Sequence, residues 1–242
     1  MQNQSNPYAT ALAAAVRAVS DYDFDRPRTR LVELERLINS THGNLAARIE
    51  IENAMAQLLR SSATVAAKQF VCKKLWMMGT DLSVPALATL LEAPNPVLAE
   101  AACYALRSQE SAAATAALRR ALDRVRGVAR ASIINVLGDK HDTESSSQLS
   151  ALAADPDPLV SDAAIAALGK IASNETVAAL TKIHRASSEL ARRLQSAHAL
   201  LQAGQQLAKR GDSAAAKAIW RLLNNDSEPS QIRRGASLAL KG

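Results

Sequence analysis

Apolar positions along the chain recur every 31 residues. Leu75, Leu106, Leu137 and Leu168 keep this spacing, and so do Leu87, Leu118, Leu149 and Leu180. Val97, Val128, Leu159 and Leu190 form a third register, and Leu98, Ala129, Val160 and Ala191 a fourth. A period of this length marks a repeated supersecondary unit. Within one unit, Val84, Leu87, Leu90 and Leu91 sit at i, i+3, i+6 and i+7, the spacing of one helix face. Val160, Ala164, Ala167, Leu168 and Ile171 make a second stripe. The polar positions punctuate this pattern. Asp157 before Pro158, and Asn95 before Pro96, read as N-caps with proline in the first turn. Ser173 or Asn174, followed by Glu175, opens the next helix with an acid at the positive end of its dipole.

One such pair cannot bury its own apolar face, whereas stacked pairs bury a continuous core. The predicted fold is therefore all-α, a right-handed α-solenoid (superhelix) of about six helix pairs. These are expected at 44–79, 81–108, 110–139, 142–172, 173–210 and 212–241. Residues 1–43 are less regular and read as an N-terminal cap. It holds helices near 8–20 and 28–40 and a charged connector, "DYDFDRPRTR". A second irregularity follows Leu190. Ile183 and Leu222 are 39 residues apart rather than 31, which predicts a helix and loop lengthened by about two turns.

Composition sharpens this picture. Aromatic residues are only 3% of the chain while 48% is apolar, so the core is made of small and aliphatic side chains at close helix contacts. No apolar run reaches the roughly 18–20 residues of a membrane span. The start, "MQNQSNPYATALAAAV", lacks the basic and apolar regions of a secretion signal. As it stands the chain reads as cytoplasmic, or as periplasmic or secreted if a leader has been removed. The last stretch, "QIRRGASLALKG", keeps the stripe of an internal helix. This reads as a fragment of a longer chain or as a self-association face.

The segments "DPDPLVSDAAIAALGKI" with "NETVAALTKI", and "TDLSVPALATLLEAPNPVLAEAACYALR", resemble HEAT-like repeats of the short class named after phycobilisome lyases. The segment "AAKQFVCKKLWMMGTDLSVPALATLL" resembles the first repeat of HEAT proteins common in bacteria. The resemblance spans about residues 44–241. It implies a fold shared by scaffolds, bilin lyases, a metal hydroxylase and DNA glycosylases, and so does not choose among functions.

Candidate chemistry is sparse. His42, His141, His184 and His198 lack the paired His-Glu motifs of the hydroxylase branch, although His184 and His198 fall in two helices of one unit. Each is expected to be solvated or hydrogen-bonded, and no metal, cofactor or catalytic residue is assigned. Cys72 and Cys103 share one register with Ile134 and Ile165 and read as buried small positions. Equivalent points on stacked helices lie about 8–10 Å apart, beyond disulfide reach. Asp21, Asp23 and Asp25 lack the glycine and glutamate of a calcium loop. Trp76, in the register of Gly138 and Gly169, and Trp220, beside Ile219 and Leu222, read as packing residues.

Charge is the most informative signal. The net charge is +6, and residues 1–184 are balanced, so the excess lies entirely in residues 185–242, with 10 Lys/Arg against 4 Asp/Glu. Lys68, Arg130, Arg192 and Arg233 share a position near the start of second helices. An inter-repeat ladder accounts for Arg130 and Arg192, whereas Arg193, Arg210 and Arg234 read as contact residues. The candidate partner-binding set is Lys68, Arg130, Arg192, Arg193, Lys209, Arg210, Arg233 and Arg234. The expected function is a non-catalytic protein–protein interaction scaffold that binds an acidic protein surface along its concave face. Two other readings stay open. One is DNA binding through the basic C-terminal groove, which the resemblance would make glycosylase-like. The other is a bilin-lyase-like enzyme, by resemblance only.

Overall fold

The computed structural model describes residues 7–241. The first six residues, on which the leader reading bears, and Gly242 lie outside them. Every regular element among the described residues is helical, and the chain divides into two compact units, residues 1–125 and 126–242.

The first unit contains α1 (Pro7–Ser20), α2 (Thr29–Asn39), α3 (Leu45–Arg60), α4 (Val65–Met78), α5 (Val84–Leu91), α6 (Pro96–Ser108) and α7 (Ala112–Ala121). Here α3, α5 and α7 form one row, with α4 and α6 packed side by side as the second. Helices α1 and α2 pair with each other and against α3. The second unit contains α8 (Gly127–Asp139), a 3-10 turn (Thr143–Ser145), α9 (Ser146–Leu152), α10 (Pro158–Ile171), α11 (Asn174–Ala186), α12 (Leu190–Lys209), α13 (Ser213–Leu223) and α14 (Ser230–Lys241). In it α10 lies between α8 and α12, α9 packs on α11, and α13 packs on both α12 and α14. Each unit is thus a two-layered stack of helix pairs, an α-solenoid segment whose layers enclose one strip of core.

The caps follow from local chemistry. Asn95 accepts from the Val97 amide and Asp157 from the Leu159 amide, each ahead of a proline at the first helical position. Ser173 begins α11, and its partner in a reciprocal capping box is Thr176 rather than the neighbouring Glu175. The long helix expected after Leu190 is α12, at 20 residues against 14 for α10.

Two of the four apolar registers form the core outright. Leu75, Leu106, Leu137 and Leu168 are fully buried, as are Leu87, Leu118, Leu149 and Leu180. The third register does not. Val97, Val128, Leu159 and Leu190 occupy the first turn of second helices and are exposed. The fourth is mixed, with Leu98 and Val160 buried and Ala191 exposed. Small residues set the helix spacing in the second unit. A Cβ added at Gly138 would stand 2.8 Å from the Ala167 Cα, and one at Gly169 would stand 2.6 Å from the Ala199 carbonyl oxygen. That is why glycine recurs at this register, and why α8, α10 and α12 approach so closely.

Candidate functional site

Most of the eight candidate basic residues already have structural work. Arg130, at the first turn of α8, donates to Asp155 at 3.1 Å with both side chains nearly buried. Arg192, at the same position of α12, donates to Ser161 Oγ at 3.2 Å and to the Ala153 carbonyl. Arg130 thus ties its helix to the repeat that follows and Arg192 ties its own to the repeat before, the inter-repeat bonds of a ladder. For Arg193 and Arg210 the sequence predicts free contact residues, and the structure differs, because both hold protein acceptors. Arg193 Nη2 donates to Glu228 Oε1 at 2.6 Å and to the Ser227 carbonyl at 3.1 Å. Arg210 Nη1 donates to the Ile171 carbonyl at 2.9 Å and the Ala172 carbonyl at 3.3 Å, satisfying acceptors at the C-terminus of α10. The sequence hides both because their partners lie 35 and 39 residues away, off the 31-residue ruler. Arg233 pairs with the exposed Asp226. Lys68 is half-buried in α4, and Lys209 and Arg234 are exposed on α12 and α14. Five of the eight therefore already hold protein acceptors.

Two constellations were missed by sequence. The first is buried. His184 Nδ1 lies 3.2 Å from Ser196 Oγ, and its Nε2 lies 3.2 Å from Glu228 Oε1. The residue types are those of a nucleophile–base–acid relay, but Ser196 and Glu228 are buried and no substrate can reach them. The Ser196 hydroxyl is also within 3.0 Å of the Arg192 and Arg193 carbonyls of its own helix. With Arg193 the group clasps α11, α12 and the loop before α14.

The second constellation is exposed. Trp76 at the end of α4 and Tyr104 on α6 stack with ring centroids 5.4 Å apart and planes inclined by 19°. They are 41% and 46% exposed, and Met77 beside them is also exposed. This corrects the reading of Trp76 as a packing residue, while Trp220 is buried over Gly204. The signal was present in the sequence. Trp76 occupies a register where the second unit needs glycine, so its indole cannot enter a helix contact of that kind.

The cysteines are free and buried, and burial pushes each thiol up to about 12. Thiolate nucleophiles are therefore not available at neutral pH. Asp21, Asp23 and Asp25 lie in an exposed connector. His141 Nδ1 lies 2.6 Å from the Lys170 carbonyl, and His42 Nδ1 lies 2.8 Å from the Asn39 carbonyl. Among the described residues no three His, Cys, Asp or Glu side chains gather as a metal site, and no helix is long and apolar enough to cross a membrane.

The profile of the HEAT repeats family matches residues 126–201. Curated proteins give no sequence match. Among solved structures, a lipovitellin described for its lipid–protein interactions is similar over 99% of this chain, at 14% identity and a TM-score of 0.63. The chain spans only 27% of that protein's length, and the likeness is one of fold. The phycocyanin lyase CpcE–CpcF complex from Nostoc sp. PCC7120 is similar over 100% of this chain and 96% of its own, at 18% identity and a TM-score of 0.47. An archaeal HEAT-like repeats protein from Thermococcus onnurineus NA1 is similar over 99% and 97%, at 13% identity and a TM-score of 0.39.

Proposed function

We propose, from the premise that this chain is a HEAT-like repeat protein, that it is a non-catalytic protein-interaction module. The contact face is the exposed side of the second helices. The observation that carries this reading is the Trp76–Tyr104 stack with Met77. A chain with so few aromatic residues spends two of them side by side at its surface, each more than two-fifths exposed. Exposed, pre-stacked aromatic rings lose little conformational entropy on binding and supply large contact area, which is how interface hot spots are built. Lys73 and Glu100 stand exposed on the same two helices and provide a polar rim. Lys209 and Arg234 are the exposed members of the basic set with neither a side-chain hydrogen bond nor an ion pair among the described residues, and are available to an acidic partner surface.

The DNA-binding alternative draws less support. Arg130, Arg192, Arg193, Arg210 and Arg233 hold protein acceptors and would have to release them to meet phosphates. The test is affinity capture by the full chain from cells that express it, with in-cell crosslinking, against a Trp76→Ala/Tyr104→Ala variant. A protein captured by the parent and lost from the folded variant supports the reading. Equal capture by both overturns the face. Co-purifying nucleic acid released steeply by salt replaces the reading with the alternative.

A further inference from the structure

The exposed third register has a geometry of its own. Val128, Leu159 and Leu190 begin α8, α10 and α12 and are 50%, 57% and 64% exposed. They lie on three neighbouring helices of one compact unit, one large apolar side chain per helix. This makes a narrow ladder, one large rung to a helix, with only the small Pro158 and Ala191 exposed beside the rungs. Packed helices stand about 8–10 Å apart. A polyproline-II segment advances about 9 Å in three residues, so a side chain at every third position meets every rung. An amphipathic helix needs a broad apolar trough instead, and this row is bordered by Arg126, Asp157, Asp162, Glu189 and Arg193. Arg193 is neutralised by its pair with Glu228, whereas Asp162 and Glu189 are exposed acids, and Glu189 makes no capping bond to its own helix.

We infer that this ladder docks an extended, proline-rich segment of a partner protein, with an apolar residue at every third position and basic residues between. The proposal rests on the chain being a protein-binding module, but uses a surface of the second unit that the aromatic stack does not share. The apolar residues sit over Val128, Leu159 and Leu190, and the basic residues meet Asp162 and Glu189. The extended backbone has no internal hydrogen bonds to give up and little entropy to lose.

The test uses the full chain and a fluorescent acetyl-(Leu-Pro-Lys)4-amide probe, read by anisotropy. Saturable binding is expected, weakened about tenfold for each rung replaced by serine. It should be lost in Val128→Ser/Leu159→Ser/Leu190→Ser, with unchanged circular dichroism because all three side chains are exposed. A second variant, Asp162→Lys/Glu189→Lys, leaves the rungs intact and should weaken the probe while improving binding of acetyl-(Leu-Pro-Glu)4-amide. Undetectable binding at millimolar probe overturns the inference, as does equal binding by the triple variant. So does preference for a four-residue repeat, (Leu-Pro-Pro-Lys)3, or for an amphipathic helical peptide. A concentration-dependent dimer of the parent, abolished in the triple variant, would assign the ladder to a second copy of the chain and overturn it too. A Trp76→Ala/Tyr104→Ala variant should bind the probe normally, so failure of the aromatic face and failure of the ladder are distinguishable.

Discussion

At the scale of single residues, the basic side chains separate into two kinds that the sequence cannot tell apart. Arg192 and Arg193 are adjacent letters, yet one anchors to the previous repeat and the other to a loop 35 residues on. Removing the Glu228 carboxylate strands Arg193 and uncouples His184. Glu228→Ala is expected to cost about 3 kcal/mol, the low end for a broken buried pair because the Arg193 side chain is 32% exposed. Lys209→Glu, on the exposed end of α12, should stay within about 0.5 kcal/mol. Urea unfolding of the two variants measures the contrast, and equal effects would refute the division. The thiols give a prediction in pH. Their pKa values are raised by burial from 9.0 to about 12 in the fold, so the unfolded chain loses these protons first. Stability is unaffected below about pH 9 and falls between about 9 and 12, by about 1.4 kcal/mol per pH unit for each thiol. Cys72→Ala/Cys103→Ala should flatten that part of the alkaline slope, as read by urea midpoints from pH 8 to 10.5. At pH 8 a maleimide should label the cysteines only after unfolding.

At the scale of elements, periodicity revealed where helices lie but not which face each position takes. The leucine registers through Leu75 and Leu87 are core, whereas the register through Val97 repeats equally well and is surface. A repeat copies its exterior as faithfully as its interior, so apolar letters at a fixed interval do not by themselves mean burial. The helix start was the clue. A residue directly after a cap and a proline lies at the rim of the layer, where its side chain clears the neighbouring helix. Legible for the opposite reason was the glycine register, because only a missing side chain lets α8, α10 and α12 close to contact. The consequence is a test of sign. Gly→Ala inside an exposed helix normally gains about 0.5–1 kcal/mol, but at Gly169 the new methyl meets the Ala199 backbone, which cannot move aside. Overpacking of this kind costs about 1–3 kcal/mol, so Gly169→Ala should be destabilising in a urea titration. A stabilised variant would mean that α10 and α12 do not meet at Gly169.

At the scale of the molecule, repeat architecture makes stability a sum of neighbouring contacts rather than the property of one central core. Each compact unit has both layers of its own. In residues 126–242 these are the row α8, α10 and α12 against α9, α11 and α13, with the Arg130 and Arg192 anchors and the Glu228 clasp all internal to it. None of those bonds is cut by ending the chain at Val125. Residues 126–242 expressed alone should therefore be helical by circular dichroism and melt cooperatively. The exposed ladder and the Glu228 clasp travel together in this fragment, so the probe peptide should bind it as it binds the full chain. Residues 1–125 keep the Trp76–Tyr104 stack and the Glu52 carboxylate, which accepts from the Thr80 amide at 2.6 Å and its hydroxyl at 2.9 Å. They should fold independently too. A fragment of either kind without native helix content would mean that its fold depends on the rest of the chain, and nearest-neighbour additivity would then fail at this division.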